Sequence, residues 1–475
     1  MKNLSNILIL TLLFSVATKA QKTKIAVLKK LDSQSEKYGS IAMKIWNLAE
    51  MGYLEEQSSS LLQETLSNEG FTIKKGVANI PTAFIAEYGS GLPIIAILGE
   101  FDALPGLSQQ AIPEKKSANG DAGHACGHHL FGTASAAAAI SVKQWMQSTK
   151  QKGTIRFYGC PAEEGGGAKV YMARDGLFDD VDIALHWHPS SQNAASAAAA
   201  LANISAKFRF HGVSAHAAGA PEKGRSSLDG VEAMNAMVNM MREHVPQEAR
   251  IHYVITDGGK APNVVPDFAE VYYYSRHNSR DVVRSIFNRI VKAGEGAALG
   301  TGTTMDYEII NGVHELLPNL SLQKLVHDNL SAIGGVTYSA EEKEFAEKIA
   351  LSLGQTKADL DRAVNIQPYK ETAQAYGSTD VGDVSFVVPT VGFGTATWVP
   401  GTSAHSWQAV AAGGTSIGEK GMMVAAKTIT ATVIDLFKNQ ELIVKAKVEF
   451  KNRRGLNFIY KPLLGNRPPA LNYRK

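Results

Sequence analysis

Apolar and polar positions follow two different periods along this chain, and the change of period marks its parts. Ile41, Ile45, Leu48, Leu61, Leu62 and Leu66 recur at helical spacing between charged residues, which predicts helix over 34–67. The run Pro93-Ile94-Ile95-Ala96-Ile97-Leu98-Gly99 has the pattern of a buried strand. The Ala-rich stretch 133–146 predicts a helix, 153–159 a second strand, and 182–188 a third that Pro189 ends. Strands alternating with helices predict an α/β sheet. After Leu201 the period shifts. Residues 204–211 alternate apolar and polar, as a half-exposed antiparallel strand does. Helix over 226–243, strands over 250–256 and 268–276, helix over 281–295 and a strand over 304–310 follow. This β-α-β-β-α-β order predicts a ferredoxin-like unit inserted at 204–313. The first pattern resumes after about Val313, with 422–437 read as the final helix.

The N-terminus follows neither pattern. Lys2 precedes an apolar run over 7–14, and Thr18-Lys19-Ala20 places small residues before Gln21. This order predicts a secretory signal peptide over 1–20, cleaved after Ala20. The run is too short to span a bilayer, and no cysteine follows it to carry a lipid. The expected mature protein is exported, periplasmic or secreted, without a stable membrane anchor.

Composition removes several classes. Over 475 residues, 44% hydrophobic and 20% charged content excludes a disordered or collagen-like chain. Cys126 and Cys160 are the two cysteines, too few for a disulfide scaffold. The net charge of +3 gives no sign of a nucleic-acid binder, but it is unevenly placed. Lys2 and Lys19 leave with the leader, and 445–475 carry nine Lys/Arg against one Glu, so the part between is acidic. The basic tail 445–475 reads as a solvated extension over the surface, or as an electrostatic contact with an anionic surface or partner.

Four clusters could carry chemistry. His124-Ala125-Cys126-Gly127-His128-His129 gathers three imidazoles and a thiol before a helix, the donor mixture that a metal such as zinc takes. Glu163 and Glu164 follow a predicted strand, where α/β sheets place their ligands. Adjacent carboxylates on extended backbone point apart, so one can hold a metal while the other faces a reacting water. His186-Trp187-His188-Pro189 ends another strand and either histidine could reach the site; His405 lies in the loop 400–406. Together these groups suffice for two metals and a free carboxylate base, which points to metal-assisted hydrolysis of an amide.

With these clusters, the segments Gly99-Glu100-Phe101-Asp102-Ala103-Leu104-Pro105, Ser214-Ala215-His216-Ala217, Pro262-Asn263-Val264-Val265 and Ser378-Thr379-Asp380-Val381 complete a set that resembles the two-metal aminoacylase and carboxypeptidase family of amidohydrolases, and within it the aminobenzoyl-glutamate hydrolases. The resemblance implies a zinc-peptidase-like α/β catalytic domain, 21–203 and 314–444, with helices on both sides of a mixed sheet. It also implies that the inserted domain pairs two subunits into a homodimer. By the same likeness, two divalent ions, zinc or manganese, would be held by Cys126 as a bridging thiolate and by His128, Glu164, His188 and His405, with His186 as the alternative to His188. His129 stands where the family has Asp or Asn and competes as a ligand. Glu163 would be the general base, Asp102 would orient a ligand from behind, and His216 would stabilise the oxyanion in the partner's site. Asn263 and Arg276 resemble the groups that hold a substrate carboxylate. The implied substrate is a small amide with a free carboxylate: an N-acyl or N-aroyl amino acid such as aminobenzoyl-glutamate. The alternatives are a dipeptide, an acyl-amino acid, or a non-catalytic relative that only binds such conjugates. Glu163 argues against the last, because binding needs no base.

Overall fold

The structure is a computed structural model that describes residues 23–374 and 377–474; the leader expected at 1–20 lies outside them. The two larger sheets use strands β1 (Thr72–Lys75), β2 (Phe84–Ser90), β3 (Ile94–Gly99), β4 (Gly153–Gly159), β5 (Ile183–Leu185), β6 (Ala202–His211), β7 (Arg250–Asp257), β8 (Phe268–His277), β9 (Thr304–Val313) and β10 (Thr390–Val391). The helices that matter below are α1 (Ser35–Leu48), α2 (Glu56–Asn68), α3 (His128–Thr149), α4 (Ala168–Arg174), α5 (Ser227–Met241), α6 (Arg280–Thr301), α7 (Leu320–Ile333), α8 (Trp407–Gly413), α9 (Ser416–Lys438) and α10 (Gln440–Arg454).

The main sheet runs β1-β2-β4-β3-β5-β10. Its first three strands pair antiparallel and the rest parallel, so it is mixed, as expected. Both faces are apolar. Ile95, Ile97, Ile155 and Phe157 pack in one core with α3 and α9, whereas Ala96, Leu98 and Tyr158 face Val170, Tyr171 and Met172 of α4. Burying both sides explains the near-continuous apolar run of β3. Each Ile, Leu or Phe so buried contributes about 1.5–3 kcal/mol.

The second sheet runs β7-β8-β6-β9, all antiparallel. In β6, Phe208 and Phe210 turn to Val231 and Met234 of α5 and Ile286 and Phe287 of α6, while Lys207 and Arg209 stay half-exposed. This is the ferredoxin-like unit, with β7 as an edge that exposes Val254 and Ile255.

Three expectations need correction. The helix over 34–67 is two helices, α1 and α2. Ala49 and Tyr53 take left-handed backbone (φ 45° and 65°) around Gly52, which breaks the chain while both helices stay in one core. The strand over 182–188 stops at Leu185. His188–Ser190 is a separate short strand beside Gly394–Ala396, with Pro189 inside it rather than ending the first. Finally, 422–437 is not the last helix: α9 is followed by α10, which buries Ile443, Ala446 and Phe450 at spacings of three and four. The lysines and arginines between them mask that stripe.

The basic segment is not a solvated extension. Beyond α10 it becomes a strap across both sheets. Tyr460 donates to Asp383 (2.7 Å), His314 Nε2 donates to the Lys461 carbonyl (3.0 Å) and Arg467 to that of Ile310 (3.0 Å). Leu463 is buried in the core of the second sheet and its neighbour Leu464 in that of the first. The strap crosses β9 at Gly312, where a Cβ would stand 2.8 Å from the Leu464 amide nitrogen, so only glycine lets the two backbones meet.

Candidate metal centre

The parallel strands β3, β4 and β5 end on the same side of the sheet, and the loops that leave them carry Glu100 and Asp102, Glu163 and Glu164, and His188. Helix α3 adds Cys126 and His128 at its start. Gly127 between them is left-handed (φ 72°), and a Cβ there would meet the Pro189 ring at 2.7 Å. His405 arrives from a distant loop. Its own φ is 59°, and its amide donates to the Ala125 carbonyl (2.9 Å), which ties that loop to the cysteine loop. Left-handed backbone at a non-glycine residue costs of order 1–3 kcal/mol and is typical of functional sites.

The side chains form two overlapping donor groups. Ligand atoms of Cys126, His128 and His188 lie within 4.8 Å of one another, and so do those of Cys126, Glu164 and His405. Cys126 belongs to both. Hydrogen bonds fix the imidazoles. His128 Nδ1 lies 2.8 Å from Asp102, and His188 Nδ1 lies 2.7 Å from the Pro189 carbonyl. Each Nδ1 therefore carries the proton, and each Nε2 keeps its lone pair for the centre. His188 Nε2 stands 3.5 Å from Cys126 Sγ, and His405 Nε2 stands 3.0 Å from Glu164. The other Asp102 oxygen accepts from the Glu164 amide (2.9 Å), so one carboxylate positions a residue of each group.

The charge balance calls for cations. Burial, then the carboxylates of Glu100, Glu164 and Asp380, hold Glu163 well above the usual carboxylate range. Burial and Glu164 push the Cys126 thiol well up. Burial would lower His128, but Asp102, Cys126 and Glu100 overcome it and raise the imidazole. Lys169, fully buried, bonds Glu100 (2.7 Å) and Asp380 (2.6 Å) and is thus already committed. A buried set of thiol, imidazole and carboxylate donors with so little compensating charge fits two divalent ions.

The remaining expected residues separate clearly. His186 turns away from the centre, its ring against Gly392 and both nitrogens without a hydrogen-bond partner; the structure brings in His188 instead. His129 does not compete: its Nε2 bonds the Gly413 carbonyl of α8 (3.0 Å), and its ring packs on His124. Cys160 is free and buried beneath the sheet, as is Cys126 at the centre. Arg276 lines a cavity of about 740 Å³ with Cys126, Glu163, Glu164, His188 and His405. Asn263 does not line it. That residue is exposed on the inserted unit beside His216, its carbonyl accepting from Ala217 (3.0 Å). His216 is exposed as well, and its Nδ1 accepts from the amides of Ala218 (3.2 Å) and Gly219 (3.0 Å).

The sequence reading missed Glu100, Lys169, Asp380 and Glu55. Glu100 and Asp380 lie inside segments that carried the resemblance, two residues before Asp102 and next to Thr379, so position could have flagged them. Glu55, fully buried, accepts from the Ala162 amide (2.8 Å) and supports left-handed Ala162 (φ 53°) just before the Glu pair. Nothing local to Glu55 or Lys169 announces these long-range roles.

A thiol-bridged two-metal centre at the strand ends of a mixed sheet, with a ferredoxin-like insertion, defines a class: the chain belongs to the M20 family of metal-dependent peptidases and amidohydrolases. The peptidase dimerisation domain matches residues 201–299. The chain is 40% identical to one of the two kinds of subunit of the p-aminobenzoyl-glutamate hydrolase of Escherichia coli, over 93% of this chain and 97% of that one. It is 27% identical to Xaa-Arg dipeptidase of Mus musculus, covering 92% and 94%. The fold matches a dinuclear metal-binding M20 peptidase of Bacillus subtilis with a TM-score of 0.57 at 16% identity, over 86% of this chain and 99% of that one. The protein is a metal-dependent hydrolase of amide bonds, and it carries a dimerisation domain.

Proposed function

We propose that this protein hydrolyses the amide of an N-acyl or N-aroyl amino acid resembling aminobenzoyl-glutamate. The observation that carries the reading is the single cavity in which Glu163, both donor groups and Arg276 meet. The name of the Escherichia coli relative supports the substrate class.

Cys126, His128 and His188 would hold one ion and Cys126, Glu164 and His405 the other. Thiolate and imidazole donors suit zinc, with manganese the alternative. When bound, such a pair polarises a carbonyl oxygen and acidifies water. Glu163 takes the proton of the attacking water and passes it to the leaving amine nitrogen. Asp102 keeps His128 in the tautomer that presents Nε2. Arg276 offers its guanidinium fork to the substrate carboxylate.

His216 and Asn263 act in trans in this reading. Within one chain they lie together outside the cavity, and the two amide donors on His216 Nδ1 leave Nε2–H free to stabilise an oxyanion. The apolar, exposed edge strand β7 supports pairing with a second copy. The leader over 1–20 would route the protein out of the cytoplasm.

The direct test is turnover of mature, metal-loaded protein on aminobenzoyl-glutamate, acetyl-amino acids and dipeptides. Preferred cleavage of the acyl or aroyl amino acids is expected, and preferred cleavage of dipeptides would move the reading to a dipeptidase. The trans role predicts complementation. Glu163→Gln and His216→Ala chains should each be inactive alone, whereas purified hybrids should recover about half the wild-type activity, one site per dimer being intact. Inactive hybrids would refute sharing of the site between copies.

A further inference from the structure

The strap does more than cover the fold. Its Arg474 lines the catalytic cavity, far in sequence from every motif of the site. Arg474 Nη2 donates to the Glu164 carbonyl (2.7 Å), and Tyr473 donates to the same oxygen (3.0 Å). Tyr473 also packs edge-on to Tyr53 at 5.5 Å, which seats the segment beside the Glu pair. Arg474 Nε is buried without a partner. Arg276 on β8 shares both properties: it lines the same cavity and its Nε is buried without a partner, with the guanidinium 5.4 Å from the Tyr274 ring. Asn203, opposite Arg276 across β6 and β8, has an unpartnered buried Oδ1.

One cavity therefore has a wall of metal-donor side chains and two guanidinium groups with donors to spare. Asp380, which also lines it, is already bonded to Lys169. A buried arginine with unused N–H groups calls for an anionic acceptor, and a planar fork matches a carboxylate. One substrate carboxylate needs one fork. We propose that Arg474 is a specificity-determining residue that binds a second carboxylate, so that the preferred substrates are N-acyl derivatives of a dicarboxylic amino acid, glutamate or aspartate. This inference rests on the hydrolase reading above and narrows its substrate class. It also gives the basic tail a task inside the site rather than on the surface.

The test compares aminobenzoyl-glutamate with aminobenzoyl-glutamine, which has nearly the same shape and one carboxylate fewer. Binding is measured calorimetrically in metal-loaded Glu163→Gln protein, where turnover does not interfere, with and without Arg474→Met. The arginine is expected to favour the glutamate compound by roughly 10- to 100-fold, the range for hydrogen bonds to a charged group. Arg474→Met should erase that preference and leave glutamine binding within about threefold. Arg474→Lys keeps the charge without the fork and should retain part of the preference, which separates recognition from loss of fold. Equal weakening of both compounds would mean that Arg474 only steadies the Glu164 loop, and unchanged binding of both would mean that it does not reach the substrate. Either result overturns the assignment. A wild-type protein that binds with the expected preference but cleaves neither compound would instead refute the hydrolase reading alone.

Discussion

Replacing Glu163 by Gln is expected to lower kcat roughly 10²- to 10⁴-fold, the usual contribution of a positioned general base, while metal content stays at the wild-type level. The separation of the two effects follows from the geometry. Glu163 lies outside both donor groups that share Cys126, although it reaches Glu100 and His128. Its neighbour Glu164 is the one held by His405 and by the Asp102–amide bond. Gln keeps the shape and cannot accept a proton. Steady-state kinetics on an acyl-amino acid, with metal analysis of the same preparation, checks the pair of outcomes. A variant with wild-type turnover would remove Glu163 from the mechanism. A variant that loses metal would make it a ligand.

The second large effect is on metal binding itself. Cys126 is the residue common to the two donor groups, so Cys126→Ala should cost both ions, whereas His188→Ala should cost chiefly one. Loss of a mere orienting partner typically weakens metal affinity about 10–100-fold, and loss of a shared ligand is expected to exceed that. Titration of metal-free protein with Zn²⁺ or Mn²⁺ gives the stoichiometry directly. Two tightly bound equivalents in Cys126→Ala would show that the thiol does not bridge.

Much of this was legible in the sequence because its signals are local. The parallel strands announce themselves as apolar runs, and the alternation of Ile204 to His211 separates a one-sided sheet from a two-sided one. Cys126, His128, Glu163 and Glu164 stand out because their residue types at strand and helix ends suit metal chemistry. What escaped is long-range. His186 and His188 look equivalent by period, and only the break after Leu185 turns them apart. Asn263 looked like a partner of Arg276, yet the fold sets them on different parts of the molecule. The basic tail looked soluble because charge hides a stripe of three apolar residues in α10. Nothing near Arg474 points to a Glu more than 300 residues away in sequence.

The neighbouring leucines of the strap have a mechanical consequence. Leu463 is anchored in one unit and Leu464 in the other, and their Cα atoms are only about 3.8 Å apart. A hinge rotation that opened the cleft widely would have to pull one of them into water, at about 1.5–3 kcal/mol for a leucine. The strap thus works as a tie rod that shortens the stroke of the inserted unit. Ten residues further on it carries Arg474, so the same rod couples how far the cleft opens to where that guanidinium waits.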